Sequence, residues 1–171
     1  GQFITLKLTA SESEYKSGRV LNAAWSQPDR AAVSVDNVTW FQTPTCRKED
    51  GAATYRIEVP ARAFWLAWGP PFLPTHADEV LQSLKSRLPG STLFELAKTR
   101  GGRSVQGIRI GDAARYNVWI QARQHAWEAG SSWVGQGFVE WLASNDPVAA
   151  NLRRNATVFY VPVMDVDNVA M

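Results

Sequence analysis

Tyr116-Asn117-Val118-Trp119-Ile120-Gln121-Ala122 is a mostly apolar run that leads directly into Arg123-Gln124-His125, and Ala156-Thr157-Val158-Phe159-Tyr160-Val161-Pro162-Val163 is a second such run. Between them Trp133, Val134, Phe138, Trp141 and Leu142 recur at helical spacing and stop near Asn145-Asp146-Pro147. Strand, helix, strand is a crossover unit, and such units build parallel sheets that need helices on both faces. Upstream, Ala77, Val80, Leu81, Leu84 and Leu88 predict a second helix, with Thr75 and Asp78 as a capping box and Pro89-Gly90 as its stop. Two strands follow, over 92–97 and 104–110, with Gly101-Gly102 at the turn between them.

The first 70 or so residues have a different texture. Alternating or β-branched stretches at 3–8, 31–35, 38–43, 53–59 and 63–68 read as short strands. They are separated by turns at Ser26-Gln27-Pro28-Asp29, Glu49-Asp50-Gly51 and Pro60, which suggests an antiparallel sandwich. Gly69-Pro70-Pro71 stops the pattern, because proline cannot donate to a sheet ladder. The expected architecture is therefore mixed α/β, with an antiparallel β-sandwich-like domain over 1–72 followed by the start of an α/β domain with a mixed sheet over 73–171. Only two helices are evident for that sheet. Uncovered apolar faces cost about 25 cal/mol per Å2, so this reading expects the domain to be truncated. A C-terminal remainder beyond Met171, or an oligomeric partner, would cover the open sheet.

Composition narrows the function. The chain has 171 residues, 45% hydrophobic and 20% charged, which suits a packed soluble domain rather than a disordered one. A net charge of +2 without a Lys/Arg cluster argues against nucleic acid, and no apolar run is long enough to span a membrane. One cysteine, Cys46, excludes an internal disulfide. The chain begins at Gly1 with no charged-then-apolar leader, so a targeting peptide is expected to be absent or already removed, and the cytoplasm is the expected compartment.

His125-Ala126-Trp127-Glu128 is the strongest chemical signal, placed where a strand ends and a helix begins. Loops at strand carboxyl ends are where α/β sheets bind ligands. An imidazole and a carboxylate three apart can reach one zinc ion, which in catalytic sites commonly takes two His and one Glu. The bland alternative is a histidine hydrogen-bonded at a strand end, with Glu128 favouring the next helix by its charge. His76 reads as a solvated residue after a helix cap. Cys46 lies in a loop with no activating partner, and reads as a plain thiol. Trp25, Trp40, Trp65 and Trp68 suit core packing better than a sugar-binding platform. Asp165 and Asp167 read mainly as loop and helix-end acceptors.

The wider context resembles the M14 zinc carboxypeptidases, especially the cytosolic carboxypeptidase branch. Tyr55 to Pro60 and Phe64-Trp65-Leu66-Ala67-Trp68-Gly69-Pro70-Pro71-Phe72 resemble the closing strands of that branch's N-terminal β domain. Gly102-Arg103-Ser104-Val105-Gln106-Gly107 resembles its G-R-S-x-x-G hairpin. Ala122-Arg123-Gln124-His125 and Glu128, followed by Ser131-Ser132-Trp133, resemble its zinc segment A-R-x-H-P-G-E…S-S-W. The run from Phe159 to Asn168 sits where the family has a strand ending in P-x-x-N-P-D-G.

The resemblance implies a Zn2+-dependent metallocarboxypeptidase acting on the C-terminus of a peptide or protein, with His125 and Glu128 as the first two metal ligands. It also implies that the third ligand, the general base and the carboxylate-gripping residues lie beyond Met171, so residues 1–171 alone are expected to bind zinc poorly and hydrolyse nothing. A zinc deacylase or amidase on the same fold, or a β-rich binding module with a degenerate peptidase remnant, are the alternatives. The chain departs from the pattern in two places. Ala126-Trp127 replaces Pro-Gly inside the zinc segment, and Asp165-Val166-Asp167-Asn168 replaces Asn-Pro-Asp-Gly.

Overall fold

The structure, a computed structural model, describes residues 1–9, 28–49, 52–111 and 115–171. It divides into two compact units, Gly1–Pro71 and Phe72–Met171. Trp25 and parts of the turns expected at 26–29 and 49–51 lie outside the described residues.

In the first unit, β1 (Phe3–Thr9), β5 (Ala52–Glu58) and β4 (Arg47–Glu49) form one antiparallel sheet in the order β1-β5-β4. A second antiparallel sheet has the order β3-β2-β6, from β2 (Ala32–Ser34), β3 (Phe41–Gln42) and β6 (Trp65–Ala67). Alternation along β5 sends Ala53, Tyr55 and Ile57 inward, where they meet Ala31, Val33 and the half-buried Leu66 and Phe64. Two antiparallel sheets sharing one core make the sandwich-like arrangement expected from the strand spacing.

Two details differ from expectation. The stretch expected as a strand over 38–43 pairs only at Phe41–Gln42, because Asp36 accepts from the Val38 and Thr39 amides at 2.8 and 2.7 Å. That side chain closes a turn that competes with the ladder. The charged Arg47-Lys48-Glu49 stretch forms an exposed edge strand, which apolar patterning could not reveal.

In the second unit, β7 (Thr92–Lys98), β8 (Ser104–Ile110), β9 (Tyr116–Gln121) and β10 (Ala156–Val161) form a mixed sheet in the order β7-β8-β10-β9. Pairing is antiparallel for β7–β8 and β8–β10 and parallel for β10–β9, so the crossover unit sits at one edge of an otherwise antiparallel sheet. Among the described residues four helices accompany it: α1 (Pro74–Arg87), α2 (Ala129–Leu142), α3 (Pro147–Asn155) and the short α4 (Val166–Val169). Two were expected. The turn at Asn145-Asp146-Pro147 both ends α2 and starts α3: Asp146 caps the amides of Val148 and Ala149, and Pro147 occupies the first turn.

The core joins Val80, Leu81 and Leu84 of α1 and Val139 and Leu142 of α2 to Ile108, Ile110, Val158 and Tyr160 of the sheet. No capping box forms on α1, because Pro74 starts the helix one residue before Thr75 and Leu73 caps it without a side-chain bond. On α2 the buried stripe is Ser132, Gly135, Val139 and Leu142, while Val134, expected on the apolar face, is 76% exposed. Bulky Trp133, Phe138 and Trp141 flank that stripe, half-buried, and at Gly135 a Cβ would come within 2.8 Å of the Tyr160 ring. Among the described residues no helix is long and apolar enough to cross a membrane.

Candidate metal centre

The parallel pair β9–β10 runs in register from Ala156↔Tyr116 to Val161↔Gln121, and the pairing continues past both strand ends. Ala122 donates its amide to the Val161 carbonyl, and Met164 and Asp165 donate theirs to the carbonyls of Ala122 and Arg123, each at 3.0 Å. The exits of both strands are thereby stitched together. At Arg123 the backbone enters the left-handed region, with φ +55°, and turns the chain over the sheet's end.

The turn that follows carries His125 and Glu128. The Glu128 amide donates to the His125 carbonyl at 3.1 Å, and the two side chains meet with Nδ1 3.1 Å from Oε1. Both face solvent, with 67% and 40% of their side chains exposed. Trp127 between them projects outward, 63% exposed.

Behind this turn lies a support built from Arg123, Ser131 and Ser132, residues of the same motif to which the sequence reading gives no role. Arg123 is only 8% exposed; its Nε donates to the Ala126 carbonyl at 2.7 Å and its Nη1 to the Phe72 carbonyl at 3.1 Å. Burial lowers the pKa of its guanidinium, and the Asp165 carboxylate opposes that shift. Ser131 Oγ accepts the Arg123 amide and donates to the Glu128 carbonyl, both at 2.9 Å. Ser132 Oγ donates to the Pro162 carbonyl at 2.8 Å, fixing α2 against the exit of β10.

The donor chemistry fits two positions of a zinc site. In this structure the two groups contact each other directly at 3.1 Å, and an imidazole nitrogen and a carboxylate oxygen are both donor types that zinc takes. Three protein ligands are usual for catalytic zinc. Among the described residues no group of three or more His, Cys, Asp or Glu side chains is placed to hold a metal.

The other sequence candidates have different surroundings. His76 is not solvated: its ring stacks on Phe72 at 4.5 Å, meets Trp133 edge-on at 4.8 Å, and bonds Gln136 Oε1 at 3.1 Å. It lies one turn from Phe72 on the inner side of α1, which a cap position conceals. Cys46 Sγ lies 3.6 Å from the Pro28 carbonyl, which also accepts the Tyr55 hydroxyl at 2.6 Å. Burial first, and Cys46 next, push that hydroxyl up to about 12.

Trp65 and Trp68 are each 47% exposed rather than core: Trp65 lies on β6, a three-residue edge strand, and Trp68 just past its end. Asp165 accepts from Asn168 Nδ2 at 2.8 and 3.0 Å. Asp167 accepts from Thr99 Oγ1, the Gly101 amide and Arg103 Nη1, at 2.8, 3.0 and 2.9 Å, and these bonds hold its carboxyl below the usual range. A groove of about 280 Å3 between α1 and β8, lined by Pro74, Asp78, Leu81, Arg103, Gln106 and Val166 among others, includes neither His125 nor Glu128.

Known proteins resemble this chain in sequence and fold. An uncharacterized protein of Zymomonas mobilis is 31% identical over 92% of this chain, and the match spans 39% of its own length. Cytosolic carboxypeptidase 2 of Mus musculus is 34% identical over 52% of the chain and 10% of its own. The crystal structure of a metallo-carboxypeptidase from Burkholderia cenocepacia superposes with a TM-score of 0.78 at 26% identity, covering 99% of this chain and 48% of that one. The chain thus spans less than half the length of these relatives. The family model described as zinc carboxypeptidase, Peptidase_M14, matches residues 77–171, more than half of the chain and all of the turn that carries His125 and Glu128, so the chain belongs to the zinc carboxypeptidase family.

Proposed function

We propose that this chain supplies the β domain (1–72) and the opening part of the catalytic domain (73–171) of a zinc metallocarboxypeptidase that removes C-terminal residues from peptides or proteins. The observation that carries the reading is the 3.1 Å approach of His125 Nδ1 to Glu128 Oε1 on a solvent-facing turn at the end of a parallel strand. Zinc bound there would supply a Lewis acid that polarises the scissile carbonyl and acidifies a bound water. His125 and Glu128 would hold two of its positions, and the outward Trp127 ring would offer an apolar wall beside them. A third donor must come from outside the described set. The relatives called cytosolic suggest the same compartment for this chain.

Two donors make a weak site, so the 171-residue chain should bind zinc with low affinity and release nothing from peptides. Calorimetric titration should give one weak zinc per chain, lost in His125→Ala and in Glu128→Gln. Zinc binding unchanged by either substitution would overturn the assignment. Turnover of peptides by the chain alone would show that the site is complete without a further donor. For a protein with a complete site, peptide substrates compared with N-acyl amino acids separate a carboxypeptidase from a deacylase or amidase on the same fold.

A further inference from the structure

Arg123 holds a left-handed backbone conformation at φ +55° although it is not glycine. That conformation is strained for an ordinary residue and persists only when the surroundings over-determine it. Here they do so from three sides. The Arg123 amide is committed to Ser131 Oγ, its carbonyl accepts the Asp165 amide, and its guanidinium reaches the carbonyls of Ala126 and Phe72. Ala126 lies inside the His125–Glu128 spacing, and Phe72 precedes α1. A charged donor to a carbonyl makes a shorter and stronger bond than a neutral one, and the planar fork of arginine can serve two acceptors in fixed directions.

We propose that Arg123 is a positioning residue for metal binding: its buried guanidinium clamps the Ala126 carbonyl and so keeps His125 and Glu128 at the spacing one ion requires. The Ser131 hydroxyl completes the clamp by joining the Arg123 amide to the Glu128 carbonyl. The proposal rests on the metal reading above. Its sign separates it from simple electrostatics. A buried cation near a dication repels it, so neutralising a bystander arginine would tighten zinc binding, whereas removing a clamp loosens it.

The test uses the 171-residue chain, titrated with zinc alone and followed by NMR at the two imidazoles. His76, held by Phe72, Trp133 and Gln136, is the internal control. Wild-type His125 should shift with added zinc while His76 does not. Arg123→Gln should weaken the His125 response about tenfold. Arg123→Lys, which keeps the charge and can serve one carbonyl, should fall between. Ser131→Ala, which leaves the cation in place, should weaken it severalfold.

Amide exchange at Glu128 and Ser131, whose amides donate within the turn, should speed up about tenfold in Arg123→Gln. Core amides such as Ile108 and Val158 report whether each variant is folded. Arg123→Gln binding zinc as tightly as wild type, or more tightly, overturns the proposal. A wild-type His125 that ignores zinc overturns the metal reading instead. Amide exchange then still decides the clamp, because unchanged exchange in folded Arg123→Gln and Ser131→Ala refutes it.

Discussion

Tyr160 sits at the centre of the second unit, wholly buried and covered by α2. A side chain at Gly135 would bring its Cβ within 2.8 Å of the Tyr160 ring, so the helix can lie this close only because that position is glycine. The contact leaves the phenol oxygen without a hydrogen-bond partner among the described residues, and burial pushes its pKa well above the ordinary value. An unsatisfied buried hydroxyl costs about 1–3 kcal/mol. Tyr160→Phe keeps the ring and removes the orphan, so the second unit should gain on the order of 1 kcal/mol in stability, read as a higher urea midpoint with an unchanged slope. A lower midpoint would mean that the hydroxyl has a partner. Single residues of this kind carry no local signal: Tyr160 is one more aromatic in an apolar strand, and Gly135 sits unmarked among Trp133, Val134 and Phe138.

Elements were legible where a period ran unbroken for two turns or several strand residues. The 77–88 stripe and the parallel runs at 116–122 and 156–163 correspond to α1, β9 and β10, and their juxtaposition brings His125 to a strand end. The His125–Glu128 spacing was legible too, because a motif is local. Its support was not, since Arg123 reaches Phe72 across 51 positions and no period links them. α3 escaped for another reason. Its start signal, Asp146-Pro147, is also a stop signal for α2, and one turn served both.

That cap makes a titration test at the scale of the element. The amides of Val148 and Ala149 hold the Asp146 carboxyl below its ordinary 3.8, with burial opposing. A depressed folded-state pKa means that the ionised cap stabilises α3 above the unfolded pKa and that this contribution is lost as pH falls through the folded value. The Val148 and Ala149 amide resonances should therefore hold steady from neutral pH to about 4, then move with a midpoint below 3.8. Asp146→Asn, which caps without titrating, should flatten that movement. A midpoint at or above 3.8 would show that the carboxylate does not accept these amides in solution.

For the molecule as a whole, the question is what its surface leaves apolar. In the second unit the core joins α1 and α2 to one face of the mixed sheet. On the other face Phe94, Trp119 and Phe159 form a cluster with ring centroids 5.7–6.2 Å apart. Phe94 and Phe159 are half-buried and Trp119 is 47% exposed. The Phe94 ring lies over Gly107, whose missing side chain lets it settle on the sheet. Contiguous aromatic surface of this kind attracts apolar ligands indiscriminately, at about 25 cal/mol for each Å2 covered. The 171-residue chain should therefore enhance the fluorescence of a hydrophobic dye such as anilinonaphthalene sulfonate while still folded. Trp119→Gln should remove much of that enhancement, because it deletes the most exposed ring and leaves the inward-facing Val118 and Ile120 in place. Trp68→Gln serves as the comparison, since Trp68 is equally exposed in the first unit. If Trp68→Gln lowers the signal and Trp119→Gln does not, the adhesive surface belongs to the β-sandwich, and the aromatic cluster on the mixed sheet is too flat or too well packed to hold a ligand.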